Sequence, residues 1–270
     1  MYKNAIVLLN RGYEYIYSYQ NLINRNNNIY DKIISKTFIH FDIIIFHEGN
    51  ILKEHQEYIQ TNTPSLKLNF IDVTTTEPKT AFQLSKNKIN LELCPPTLLA
   101  SQFSTGYRHM CHFWSIDFLD YLKDYKYIVR IDEDCLVENF DLSVFEKMYK
   151  NNIFFVSPYF QGKDNENVTI GMEILWDRFI KENNITPFKY YHDMKCPYTN
   201  LMIVDIQNIR NNLIIKQFLK YIDDSHGIYS NRWGDLPIWG LILSTLIDPK
   251  HYSDFKTISY THDTVHRINL

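Results

Sequence analysis

Tyr125-Lys126-Tyr127-Ile128-Val129-Arg130-Ile131-Asp132-Glu133-Asp134 is a run of aromatic and β-branched residues that ends in three consecutive acids. The first seven residues suit a buried strand. Ligands of open α/β sheets sit beyond the carboxyl ends of the strands, so the acids fall where a site is expected. Three adjacent carboxylates repel one another unless a positive charge intervenes. A hard divalent cation that also grips two phosphate oxygens meets that need and offsets the charge of a departing diphosphate. The alternative is structural: Asp132 and Asp134 capping a turn or the helix that begins near Leu142, with Arg130 as a surface partner.

Outward from this strand, further apolar runs recur at Ala5 to Leu9, Phe41 to Phe46, Leu66 to Val73, Ile153 to Val156 and Leu201 to Val204. Their Ile, Val and Phe content and their alternation with helical segments predict an α/β fold with a Rossmann-like, mainly parallel central sheet flanked by helices. Before the acidic strand, Met110, Trp114, Phe118 and Tyr121 share one face of a helix predicted over Arg108 to Leu122. The 270 residues contain no repeat or low-complexity linker, which predicts a single domain over 1–270. Within it, about 1–135 forms a nucleotide-binding half and about 136–270 an acceptor-binding half.

Composition excludes several classes. A net charge of -3 with dispersed Lys and Arg provides no basic field for nucleic acid. With 8 Gly, and neither GxGxxG nor GxxxxGK[ST], dehydrogenase and P-loop readings lose their main support. Cys94, Cys111, Cys135 and Cys196 form no CxxC pair, which argues against a structural zinc site. The apolar run at Ala5 is too short for a secretory core, and no stretch approaches the ~20 apolar residues of a membrane span. The chain reads as soluble or cytoplasmic.

Three ordered motifs extend the argument. Gly106-Tyr107-Arg108-His109-Met110-Cys111-His112 precedes the acidic strand; Asn231-Arg232-Trp233-Gly234-Asp235-Leu236-Pro237 and Ile258-Ser259-Tyr260-Thr261-His262 follow it. Together with Tyr125-Lys126-Tyr127 and the acids, they resemble glycosyltransferase family 15, the fungal α-1,2-mannosyltransferases. That family has a Tyr-x-x-Met-Cys helix, a Tyr-Lys-Tyr strand ending in Arg-Val-Glu-Pro-Asp, an Arg-Trp-Gly-Asp-Ala-Pro turn and a C-terminal Gly-Tyr-Gln-His. Leu9-Asn10-Arg11 is weakly similar to its Leu-x-Arg-Asn.

The resemblance implies a GT-A fold, Mn2+, GDP-mannose as donor, a glycan or glycoprotein acceptor, and transfer with retention. Carried onto matching positions, it implies Asp132, Asp134 and His262 as metal ligands, Tyr107 as a donor-site and catalytic residue, and Asp235 as the acid of the Trp-Gly-Asp turn. Two departures stand out. The family's Glu-Pro-Asp is Asp132-Glu133-Asp134 here, and the Glu proposed there as nucleophile corresponds to Met202, which cannot act as one. Asp235 or Asp193 would then have to supply negative charge below the sugar ring, or departure and attack share one face.

The remaining residues keep alternatives. A neutral His262 in an oxygen-rich site suits Mn2+, and Mg2+ is also allowed. Asp235 either serves the reaction or caps a helix that starts at Pro237. Arg11, at the end of the first strand, is placed to bond a base or phosphate of the donor. His109 and His112 read as locally bonded side chains. Two other functions stay open beside the mannosyltransferase: a GT-A transferase using a UDP-sugar, and a non-catalytic sugar-binding homologue.

Overall fold

The computed structural model describes residues 3–83 and 96–262; Cys94 lies outside them. Strands β1 (Lys3–Asn10), β2 (Phe41–His47), β3 (Leu68–Asp72) and β4 (Tyr125–Ile131) pair in parallel in the order β4-β1-β2-β3. β1, β2 and β4 are near-continuous apolar runs because they are covered on both faces, whereas β3, at the sheet edge, is only partly buried. Alternate residues divide accordingly, Ala5 and Val7 entering one core and Ile6 and Leu8 the other.

Four further strands complete the scaffold: β5 (Cys135–Asn139), β6 (Phe155–Ser157), β7 (Phe160–Gln161) and β8 (Cys196–Pro197). Next, β9 (Leu201–Asp205) runs antiparallel to both β4 and β6, and β10 (Tyr252–Asp254) closes that side in parallel with β6. The seven-stranded sheet is therefore β10-β6-β9-β4-β1-β2-β3, mainly parallel, with strands from both halves of the chain. Outside it, β11 (Ser259–His262) pairs antiparallel with β5.

One face is covered by α1 (Gln20–Lys32), which buries Leu22, Ile23 and Ile29, while α2 (Lys53–Thr61) joins β2 to β3. The opposite face carries α3 (Thr105–His112), whose N-terminus is capped by Ser104 accepting from the Tyr107 N–H. Expected as one helix to Leu122, this segment passes through a π turn at Phe113–Asp117 before α4 (Phe118–Tyr121). It is also buried nearly all round, because a third layer packs over it.

On the α1 face lies α5 (Ser143–Asn151), while the layer over α3 includes α6 (Met172–Glu182), α7 (Ile206–Asn211), α8 (Leu213–Asp224), α9 (Gly227–Ser230) and α10 (Asp235–Leu241). Asp117 is buried and accepts from His112 Nδ1 at 2.9 Å; His112 Nε2 meets Asp223 of α8 at 2.9 Å. His109 bonds the Tyr229 hydroxyl at 2.9 Å. Both histidines are thus locally bonded.

Burial lowers the His112 pKa, but Asp117 and then Asp223 outweigh it and raise the group to about 10. Since this folded value lies above the unfolded one near 6.5, the stabilisation is complete below about pH 6.5 and is lost as pH rises toward 10. Substituting His112→Gln is expected to cost about 2 kcal/mol at pH 7, as expected for breaking a partly solvated buried ion pair. It should also flatten the alkaline decline of stability. Urea unfolding from pH 6 to 10 checks this, and parallel profiles for the two proteins would refute it.

Candidate active site

The acidic segment is braced from below. Arg25 of α1, fully buried, donates to the Ile131 carbonyl from Nη2 at 2.9 Å and from Nε at 3.2 Å, and reaches the Val7 carbonyl at 3.4 Å. It ties the ends of β1 and β4 together and sets a positive charge under the acids, with burial drawing its pKa down to about 9. Asn28, on the same helix, bonds both the N–H and the carbonyl of Val137, fixing β5 as a strand.

Above the brace the three acids take separate partners. Asp132 accepts from Arg130 Nε and Nη2, 2.8 Å each, so both its oxygens are engaged by one guanidinium fork. Its backbone N–H donates to the Asn200 carbonyl at 2.9 Å. Glu133 accepts from the Tyr13 hydroxyl at 2.8 Å, and Arg11 lies over the Tyr13 ring at 4.8 Å. Asp134 Oδ1 stands 3.3 Å from His262 Nε2. That pair exists because β11 lies against β5, with His262 beside Cys135, and because Tyr260 donates to Asn200 Oδ1 at 2.7 Å.

Asp134, Cys135 and His262 offer ligand atoms that all lie within 4.8 Å of one another. A carboxylate with an imidazole suits a Mn2+-like cation. Burial pushes the Cys135 thiol well above its ordinary range, leaving it a poor ligand for a hard ion. As placed, Asp132 stands outside this group, because Arg130 holds both its oxygens.

Arg130 organises the other side. Although only 4 % exposed, it also donates from Nη1 to Asp235 Oδ2 at 2.6 Å and stacks over Trp114 at 4.3 Å. The surface pairing of Arg130 considered from sequence is thus a buried three-member cluster. Asp235 is the first residue of α10 and Gly234 its N-cap, so the helix does not begin at Pro237 and the Asp235 side chain is not its cap. A cavity of about 220 Å3 opens over this cluster, lined among others by Tyr107, Arg130, Asp132, Arg232, Asp235 and His262.

Arg232 donates to the Tyr107 hydroxyl and lies over the Phe103 and Tyr107 rings at 4.4 and 4.9 Å. The Arg130–Asp235 and Arg232–Tyr107 contacts are hidden in the sequence by the distance along the chain between the partners. Asp164 also lines the cavity, and no sequence motif marks it. Met202 is fully buried, opposite Arg130 in the β4–β9 pair, while the exposed Asp193 lies near His192 at 3.4 Å, outside the cavity lining. Arg11 is exposed and bordered by Tyr13.

Known proteins similar to this chain include mannosyltransferases. Probable mannosyltransferase MNT3 of Candida albicans is 29% identical over 174 residues, 59% of this chain and 44% of that relative. The match therefore spans less than half of the relative's length. Core-mannan synthase A of Aspergillus fumigatus, solved in a Mn/GDP form, superposes with a TM-score of 0.71 at 19% identity, over 97% of this chain and 74% of that one. The mannosyltransferase Ktr4p of Saccharomyces cerevisiae, solved with GDP, gives 0.73 at 18% identity over 97% and 71%. These likenesses establish the GT-A glycosyltransferase fold. The sequence profile of the glycolipid 2-alpha-mannosyltransferases matches residues 4–269, so the chain belongs to that family, glycosyltransferase family 15.

Proposed function

We propose that the chain is a metal-dependent α-mannosyltransferase that moves mannose from GDP-mannose to a hydroxyl of a glycan or glycoprotein. The observation that carries this reading is the Asp134–His262 pair at the rim of a cavity whose floor is the Asp132–Arg130–Asp235 cluster. Asp134 and His262 would hold the cation, and Asp132 would add negative charge beside it. A Mn2+ bound there would neutralise charge on the departing diphosphate.

The protein's own groups do the rest. Arg130 fixes Asp132 and Asp235 by ion pairs, opposes the burial that raises the Asp132 pKa, and is itself stacked on Trp114. Tyr107, with its hydroxyl held by Arg232, positions the donor on the cavity wall. With Met202 in the core, Asp235 is the carboxylate we assign to counter the charge of an oxocarbenium-like sugar, and departure and attack share one face of the ring.

Purified protein incubated with Mn2+, an α-methyl mannoside and either GDP-mannose or a panel of UDP-sugars is expected to release nucleotide diphosphate only from GDP-mannose, and to form an α-linked product by NMR. Strict use of a UDP-sugar would remove the mannose assignment. Nucleotide binding without turnover on any donor would favour the non-catalytic reading.

A further inference from the structure

The end of β2 presents a carboxylate to which the site above gives no task. Glu48 directly follows His47 and is half-buried, and among the described residues nothing donates a hydrogen bond to it or pairs with its charge. Burial holds it above the usual carboxylate range. Its crest neighbours differ: Glu133 accepts from Tyr13, and Asp72 from Thr74.

Its mount is rigid. Gly49 turns with φ 76° and donates its N–H to His47 Nδ1 at 3.1 Å. The next residue, Asn50, accepts the Gly12 N–H at 3.0 Å, and a Cβ on Gly12 would stand 2.2 Å from the Asn50 carbonyl oxygen. The loops after β1 and β2 are therefore locked together. Both Glu48 oxygens lie 3.9 Å from where a Cβ on Gly106 would be, so the carboxylate faces the first turn of α3, beside the cavity-lining Tyr107.

Position defines what it would meet. β1 lies between β2 and β4, with Asn10 level with His47 and Val7 level with Arg130. At about 4.8 Å per strand, the ends of β2 and β4 are ~10 Å apart, the reach of a nucleoside diphosphate from phosphates to base. Phosphates at Asp134 and His262 would put the ribose over the Tyr13–Glu133 pair and the base at Glu48.

Resting on the GDP-mannose reading above, we propose that Glu48 reads the guanine base, its two oxygens accepting from N1–H and the 2-amino group. A carboxylate matches that edge and no other among the common bases: uracil offers one N–H between two carbonyl oxygens, and adenine turns a ring-nitrogen acceptor toward it. Two donors reaching a partly desolvated carboxylate are the strong kind of hydrogen bond.

Titration calorimetry with Mn2+ and GDP, IDP or UDP tests this, because IDP lacks only the 2-amino group. The wild type is expected to bind GDP at least ~10-fold tighter than IDP, the loss of one hydrogen bond to a charge. In Glu48→Gln and Glu48→Ala the GDP-over-IDP preference should fall to about 3-fold or less, with Mn2+ binding by paramagnetic resonance unchanged as evidence of an intact fold. A wild type that prefers GDP with variants that keep the full GDP-over-IDP ratio would overturn the Glu48 assignment alone. A wild type that binds UDP as well as GDP would overturn the donor reading and the assignment with it.

Discussion

Replacing Asp134 by Asn is expected to lower kcat/KM for GDP-mannose by about a thousand-fold at a fixed, sub-saturating Mn2+ concentration, equivalent to ~4 kcal/mol of transition-state stabilisation. The substitution preserves shape and removes the charge that faces His262 at 3.3 Å. Asp134 is half-buried and follows the Arg25-braced end of β4, so the backbone should not move. His262→Ala should act in the same direction through weaker Mn2+ binding. Paramagnetic resonance titration of Mn2+ alongside initial rates separates metal affinity from chemistry. An Asp134→Asn protein with wild-type Mn2+ affinity and rate would remove the assigned metal centre altogether.

Why His262 is near Asp134 bears on how much the sequence could say. The long buried strands were legible because Ala5 to Leu9, Phe41 to Phe46 and Tyr127 to Ile131 are apolar on both faces, and that alone places the acids at a strand end. The partner strands were not. β5 and β11 are short and half-polar, and β5 is held by Asn28 of α1 as well as by its neighbour. Nothing local in Cys135–Asn139 announces a strand, and the C-terminal motif entered only through the family resemblance.

The same limit explains Arg130 and Glu48. An arginine two residues before an acid reads as a surface ion pair, since its burial depends on Trp114 stacking against it and on Asp235 arriving from α10. The π turn at Phe113–Asp117 escaped periodicity reasoning because Met110, Trp114 and Phe118 satisfy a helical stripe with or without it. The buried Asp117–His112–Asp223 cluster escaped it too, because Asp223 reaches His112 from 111 residues along the chain. A lone Glu48 carries no pattern at all; its unanswered carboxylate is visible only once Gly12, Asn50 and Gly106 surround it.

Arg130→Met is expected to destabilise the fold by about 3–5 kcal/mol, because it leaves the Asp132 and Asp235 carboxylates desolvated and unpaired. For a chain of this size that corresponds to a fall in Tm on the order of 10 °C. Arg130→Lys should recover only part of the loss, since a point charge cannot reproduce a fork that engages Asp132 twice, Asp235 once and the Trp114 face. Burial already raises the Asp132 pKa and Arg130 pulls against it, so without the guanidinium Asp132 titrates higher still in the folded state and the native protein binds more protons than the unfolded one. The deficit should then shrink as pH falls through the carboxylate range and grow as it rises. Adding Asp132→Asn and Asp235→Asn to Arg130→Met is expected to restore much of the stability while leaving transfer activity abolished, which separates the cluster's structural task from its chemical one. Calorimetric unfolding at pH 4.5 and 7.5 on the single and triple variants decides it: an Arg130→Met protein as stable as the wild type at both pH values would mean that these carboxylates are solvated and that the floor of the site is not the buried cluster described here.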